Sequence, residues 1–143
     1  MRYASKALTA PSSALLALVT LVGAGLEREG CAAEVYVICH PSVTLTASDL
    51  RDVFLGDKQF AGGTVLSLSD NSAARSAFVQ KVLKMDVDKY RTAWTKKAFR
   101  DGVNPPTTAA SDAEALDYVK RAPGRCSYVS TAPGPGVTII AEF

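Results

Sequence analysis

Between Ser69 and Arg75 the chain reads S-D-N-S-A-A-R, a run of helix-capping residue types followed by an arginine. Phe78, Val79, Val82 and Leu83 beyond it fall on one side of a helix, so a helix is predicted to open near Ser72. Counted from Ser72, its third position holds Arg75. Two other predicted helices, opening at Thr46-Ala-Ser-Asp49 and Ser111-Asp-Ala-Glu114, carry a carboxylate there, which serves the free N–H groups and the positive end of the helix dipole. A cation in the first turn opposes that dipole at a cost of about 0.3–1 kcal/mol, and a local rule broken in this way points to a functional site. Free N–H groups, a capping hydroxyl and a guanidinium together suit an anion. The two-pronged Arg75 side chain suits a tetrahedral oxyanion. Asp70 narrows the choice. Phosphate keeps a proton near neutral pH and can donate it to a carboxylate, whereas sulfate has none to give, so a carboxylate here repels sulfate and tolerates phosphate. The plainer reading of the same residues makes Asp70 or Asn71 the N-cap and Arg75 a solvated side chain.

Other chemistry has less support. The one histidine is His40, and its neighbour Cys39 points to the opposite face of a predicted strand, which makes a poor metal site. A hydrolase built on His40 is the reading to set against this. No C-x-x-C, H-E-x-x-H, G-x-S-x-G or glycine-rich phosphate loop occurs, so neither a cofactor nor a metal is expected, and the chain reads as a non-enzyme. Residues 34–143 hold thirteen Lys and Arg against twelve Asp and Glu, the remaining three and two lying upstream. That balance, with no basic run interleaved with aromatics, argues against nucleic acid.

The elements that would position these residues begin after an export leader. Arg2 and Lys6 precede an apolar stretch from about Ala7 to Leu26, and Cys31-Ala32-Ala33 supplies a small-x-small site. Residues 1–33 are therefore expected to be a cleaved signal peptide, placing residues 34–143 in the periplasm or another extracytoplasmic space. The alternative is a membrane anchor, but Pro11, Ser12, Ser13 and Thr20 dilute the run below what a spanning helix needs, so no stable anchor is expected after cleavage. Lipidation at Cys31 is disfavoured by the polar Arg28-Glu29-Gly30 before it.

The 110 residues after the leader suffice for one domain. Glu34–Cys39 reads as a buried strand ending before Pro41. A capped helix carries Leu50, Val53 and Phe54 up to Gly56. Gly62-Gly63 marks a turn, and Thr64–Leu68 a second strand. Asp86 caps a helix with Val87, Tyr90, Trp94 and Ala98 in one stripe. Gly102–Ala110, containing Pro105-Pro106, reads as irregular. The Ser111 helix ends at Pro123-Gly124, and Cys126–Val129 and Val137–Ile140 are two further strands. This alternation predicts an α/β domain whose mixed, mostly parallel sheet is flanked by helices. Cys39 and Cys126 both fall in strands. They form a disulfide if those strands are neighbours in matching register, and are otherwise two small buried hydrophobes.

Taken in order, several segments resemble the short, one-domain relatives of phosphate-type ABC-transporter substrate-binding proteins. They are V-Y-V-I-C-H-P-S at Val35–Ser42, L-R-D-V-F-L-G-D-K at Leu50–Lys58, N-S-A-A-R-S-A-F at Asn71–Phe78 and K-V-L-K-M at Lys81–Met85. W-T-K-K-A-F-R-D-G at Trp94–Gly102, the Pro-Pro pair, S-D-A-E at Ser111–Glu114 and P-G-R-C-S-Y-V at Pro123–Val129 complete the set. The resemblance implies a periplasmic-binding-protein-like fold of the second type, a small anion (phosphate) as ligand, and an ABC permease or another periplasmic protein as partner. It also implies ligand contacts from Ser42 after the first strand, from Asn71, Ser72 and Arg75, and from Ser111. Trp94 and Tyr128 match family positions but read as structural. The sequence departs from the family in several places. Ser72-Ala73-Ala74 replaces a Ser-Gly-Ser/Thr, Phe60 stands where tryptophan is common, and Cys126-Ser127 replaces an apolar residue and glycine. A complete second lobe does not fit in 110 residues, so the alternative is an interaction module that kept the fold and lost the ligand.

Overall fold

Short apolar runs punctuated by Pro and Gly set the strands, and capped amphipathic runs set the helices between them. The computed structural model describes residues 35–143; the expected leader lies outside them. Strand β1 (Tyr36–Cys39) leads through a 3-10 turn at Ala47–Asp49 into α1 (Leu50–Phe54). The Asp49 carboxylate accepts the Thr46 N–H at 3.0 Å and the Lys58 ammonium at 3.0 Å, and these donors hold its pKa down at about 2. β2 (Phe60–Ala61) and β3 (Thr64–Val65) form a hairpin across Gly62-Gly63. Both glycines have positive φ, as a two-residue hairpin turn requires.

β4 (Ser67–Asn71) precedes α2 (Arg75–Lys81) and α3 (Val87–Asp101), the latter stopped by Gly102 in the left-handed region. β5 (Thr107–Ala109), α4 (Asp112–Arg121), β6 (Arg125–Val129) and β7 (Thr138–Glu142) follow. The main sheet has the order β5-β4-β6-β1-β7. β4 pairs in parallel with both β5 and β6, whereas β1 is antiparallel to β6 and to β7. Four of the five strands therefore share one direction and β1 opposes them: a mixed, mostly parallel sheet flanked by helices, as the alternation of elements predicts.

Side chains alternate across the sheet. One face buries Val35, Val37, Cys39, Cys126 and Tyr128 against Leu50, Val53 and Phe54 of α1, Phe78 and Val79 of α2, and Tyr90 and Trp94 of α3. The other buries Ile38, Ala109 and Val129 against Ala115 and Val119 of α4. Cys39 and Cys126 are directly paired in register and joined by a disulfide. Ser127 sits fully buried in β6 and donates to the Ser69 carbonyl at 2.8 Å.

Three sequence expectations need correction. The predicted strand Thr64–Leu68 is two strands, divided at Leu66, and the second runs on through Asp70 and Asn71. The segment Gly102–Ala110 is not wholly irregular, because Thr107–Ala109 adds an edge strand beside β4. The helix predicted to open at Ser72 begins at Arg75, with Ala74 as N-cap, so the arginine occupies the first helical position and not the third.

Two outcomes test these features. Gly124 has φ +80°, and a Cβ there would lie 2.1 Å from the Val65 carbonyl oxygen. Gly124→Ala should therefore destabilise the protein by more than about 2 kcal/mol in denaturant titrations. The disulfide closes a loop with a sequence separation of 87, so a Cys39→Ala/Cys126→Ala variant should lose about 2–4 kcal/mol by the same measurement.

Candidate functional site

Asp70 is the most unusual group in the core: a carboxylate only 7 % exposed, on the sheet face that packs against α1, α2 and α3. Burying a carboxylate costs several kcal/mol unless donors compensate. Three side chains do so. Tyr90 of α3 donates to its Oδ1 at 2.7 Å, and Tyr128 of β6 donates to the same oxygen at 3.0 Å. The Arg75 guanidinium faces the other oxygen, with Nε 3.8 Å from Oδ2. Burial raises the Asp70 pKa, and the two phenols and Arg75 only partly offset it. Burial likewise raises both tyrosines, helped by the Asp70 charge, so the phenols stay protonated as donors.

Arg75 sits in the first turn of α2 with its side chain 19 % exposed. Its Nη2 lies 3.5 Å from Thr108 Oγ1 of β5. Its Nε is buried without a hydrogen-bond partner among the described residues. Asp70 and Arg75 form the inner end of a cleft of about 350 Å³, with Arg91, Trp94 and Thr95 of α3 on one side and Pro105, Pro106 and Thr108 on the other. A partly exposed guanidinium at the end of a cleft, backed by a buried carboxylate, can bind an anion that carries a proton.

The six residues singled out from the sequence fall in three places. Asp70 and Arg75 share the cleft. Asn71 points to the opposite face of the sheet, where its Nδ2 donates to Asp112 Oδ1 at 2.6 Å and the Tyr128 carbonyl at 3.0 Å, while its Oδ1 accepts the Ala73 N–H. Ser72 donates its backbone N–H to the Ala109 carbonyl. Its hydroxyl reaches the Ala110 carbonyl at 3.4 Å, so it does not cap α2. Ser111 caps α4, accepting the Glu114 N–H at 3.3 Å. Ser42 lies at the other end of the sheet, before β6, where its hydroxyl accepts the Gly124 N–H and meets His40 Nδ1. His40 Nδ1 also accepts the Ser42 N–H at 3.1 Å, so the pair closes a local turn.

Sequence reasoning missed Asp112. Burial alone would raise its pKa, but hydrogen bonds from Ser130, Asn71 and Thr131 overcome that and hold it below the usual carboxylate range. The start of α4 is therefore occupied by the chain's own carboxylates, Asp112 and Glu114. The D at the second place of S-D-A-E is an ordinary first-turn acid in the sequence, and its partners 18 and 41 residues away leave no local mark. Tyr90 and Tyr128 belong equally to the site and to the core stripe, which hid their second role. Among the described residues, no group of three or more His, Cys, Asp or Glu side chains is arranged to hold a metal ion, and no helix is long and apolar enough to cross a membrane.

No family model matches the chain, and no curated protein matches it significantly. Among solved structures it resembles one described as a phosphate ABC transporter substrate-binding protein with bound phosphate, from Clostridium perfringens. The two share 13 % identity with a TM-score of 0.57, and the match covers 76 % of this chain and 44 % of that one. The chain thus matches less than half the length of that neighbour. At this identity the likeness establishes a periplasmic-binding-protein-like fold.

Burial of Asp70 has a pH signature. Its pKa is raised on folding, so the native state holds the proton more tightly than the unfolded chain. Stability from this group is fully present below the unfolded value near 3.9 and is lost as pH rises through the higher folded value. Asp70→Asn keeps the shape and cannot ionise. Its Tm relative to the parent should become more favourable between pH 4 and pH 8; a difference that stays flat would show that Asp70 is not strained by burial.

Proposed function

We propose that this chain is an exported solute-binding domain, formed by residues 34–143, that captures a small oxyanion, phosphate, in support of ABC-type uptake or sensing. The observation that carries the reading is the Asp70–Arg75 pair at the inner end of an open cleft, where the Arg75 side chain is 19 % exposed. Arg75 anchors the anion with charge-assisted hydrogen bonds, and Thr108, beside it on β5, adds a hydroxyl. Asp70 shares a proton with the ligand, which phosphate can supply and sulfate cannot. The fold neighbour with bound phosphate supports this reading. On it, the leader directs the chain to the periplasm, and an ABC permease or another periplasmic protein is the partner.

Asn71, Ser72 and Ser111 support the cleft from the other side of β4 and do not touch the anion. Their internal hydrogen bonds are also the observation that favours a second reading, a non-enzymatic interaction module that kept the fold without the ligand.

Calorimetry separates the two. The purified protein should bind phosphate in preference to sulfate. Arg75→Ala should weaken phosphate binding at least roughly tenfold, because a hydrogen bond to a charged group is worth about 1.5–3 kcal/mol. Arg75→Lys, which keeps the charge and loses the fork, should fall between. Absence of heat with phosphate in the parent protein would favour the interaction module, and unchanged affinity in Arg75→Ala would remove Arg75 from the site.

A further inference from the structure

The cleft is larger than the anion assigned to it. A tetrahedral oxyanion displaces roughly two or three waters, on the order of 60–90 Å³, whereas the cleft, open to solvent, spans about 350 Å³. The surplus is not uniformly polar. Beyond Arg75 the walls become the Pro105-Pro106 ridge and the small exposed part of Trp94, which is otherwise buried; these are rigid surfaces on which a flat or compact organic group can pack with little loss of conformational freedom. A second hollow of about 360 Å³ shares Trp94, Pro105 and Pro106 with the first, and its further lining mixes Leu66, Leu68 and Val103 with Lys58, Gln59 and Asn104. A bare anion would leave all of this surface wet.

Charge adds a second constraint. Asp70 offsets Arg75 within the cleft, so the pair brings little net attraction for a dianion. Arg91, on the rim, is 64 % exposed at its side chain and only loosely paired with Asp88 at 4.0 Å. It supplies a further cation at the mouth, on the same wall as Trp94. The combination is an inner phosphate position, a rigid aromatic and proline wall, and a cation near the entrance. It fits a molecule with an anionic head and an organic body better than a symmetrical ion.

Resting on the oxyanion reading of Asp70 and Arg75, we propose that the ligand is a phosphate monoester, its phosphoryl group at Arg75 and its organic group against Trp94 and the Pro105-Pro106 ridge. Phenyl phosphate is the probe, compared with inorganic phosphate by calorimetry at pH 6, where both retain protonated forms. The parent protein should bind phenyl phosphate at least about tenfold more tightly than phosphate. Thr95, exposed on α3 beside Trp94, can carry a larger side chain without disturbing the core. Thr95→Trp should bring the ratio of phenyl phosphate affinity to phosphate affinity down to about one, whatever it does to phosphate itself, and Arg75→Ala should weaken both ligands. Equal binding of the two ligands, or tighter binding of phosphate, would overturn the monoester proposal and leave the oxyanion site standing. So would a phenyl advantage that survives in Thr95→Trp, since the organic group would then lie elsewhere. Binding of neither ligand would overturn the oxyanion reading itself.

Discussion

A carboxylate taken out of water must be met by donors, and Asp70 draws its donors from three elements. Tyr90 comes from α3, Tyr128 from β6 and Arg75 from α2. Satisfying one buried charge therefore fixes how two helices sit on the sheet. The same residues do the packing: the Tyr128 ring stacks on Phe78 of α2 with centroids 3.8 Å apart, and Phe54 of α1 meets both edge-on. Trp94, one turn beyond Tyr90, ties α3 to α1 by donating its indole N–H to the Phe54 carbonyl. Core and site are one construction. A change that loosens the aromatic stack also moves the phenols that hold Asp70.

Strand alternation divides the chemistry of Asp70-Asn71. Adjacent residues of β4 point to opposite faces, so the acid enters the three-helix side and the amide enters the α4 side. There Asn71 meets Asp112, which also takes Ser130 and Thr131 from the segment after β6. The start of α4 looks like a place for an anion and already contains one, covalently part of the chain. On the proposed reading, that leaves the Arg75 side of β4 for an external oxyanion.

Much of the architecture was legible because it rests on local rules. The Thr46–Asp49 turn, the Asp86 and Ser111 helix starts, the Gly62-Gly63 turn and strands β1, β6 and β7 all follow from capping, turn chemistry and apolar runs. What could not be read depends on partners distant in sequence. Asp and Asn are typical capping residues, so S-D-N-S suggested a helix start, yet phenols 20 and 58 residues away hold Asp70 in a strand. β5 was hidden because three residues after a Pro-Pro pair carry no periodic signal, and only its parallel neighbour makes it a strand. Arg75 is picked out by a count from Ser72 that the structure shifts by two residues, from the third helical position to the first. It belongs to the cleft because of where β4 and β5 place Asp70 and Thr108, and the helix start on which the sequence argument leaned is a short seven-residue helix. Ser42 was drawn in by family likeness alone, and the direction of β1 carries it to the far end of the sheet.

Affinity and selectivity need different things from such a site. Tight capture of an anion depends on excluding water, because the attraction between a guanidinium and an oxyanion weakens steeply as the effective dielectric rises. The cleft over Arg75 is open, so on the proposed reading water competes there and limits affinity. Selection by proton count has no such requirement. Asp70, which reads the proton in this proposal, is already desolvated by its burial among the phenols and the aromatic stack whether or not the cleft is covered. On the proposed reading, a domain with one open wall distinguishes protonated from fully ionised oxyanions before it holds either of them strongly. Covering the cleft, by an organic group on the ligand or by a partner surface, would raise affinity and leave the order of preference unchanged.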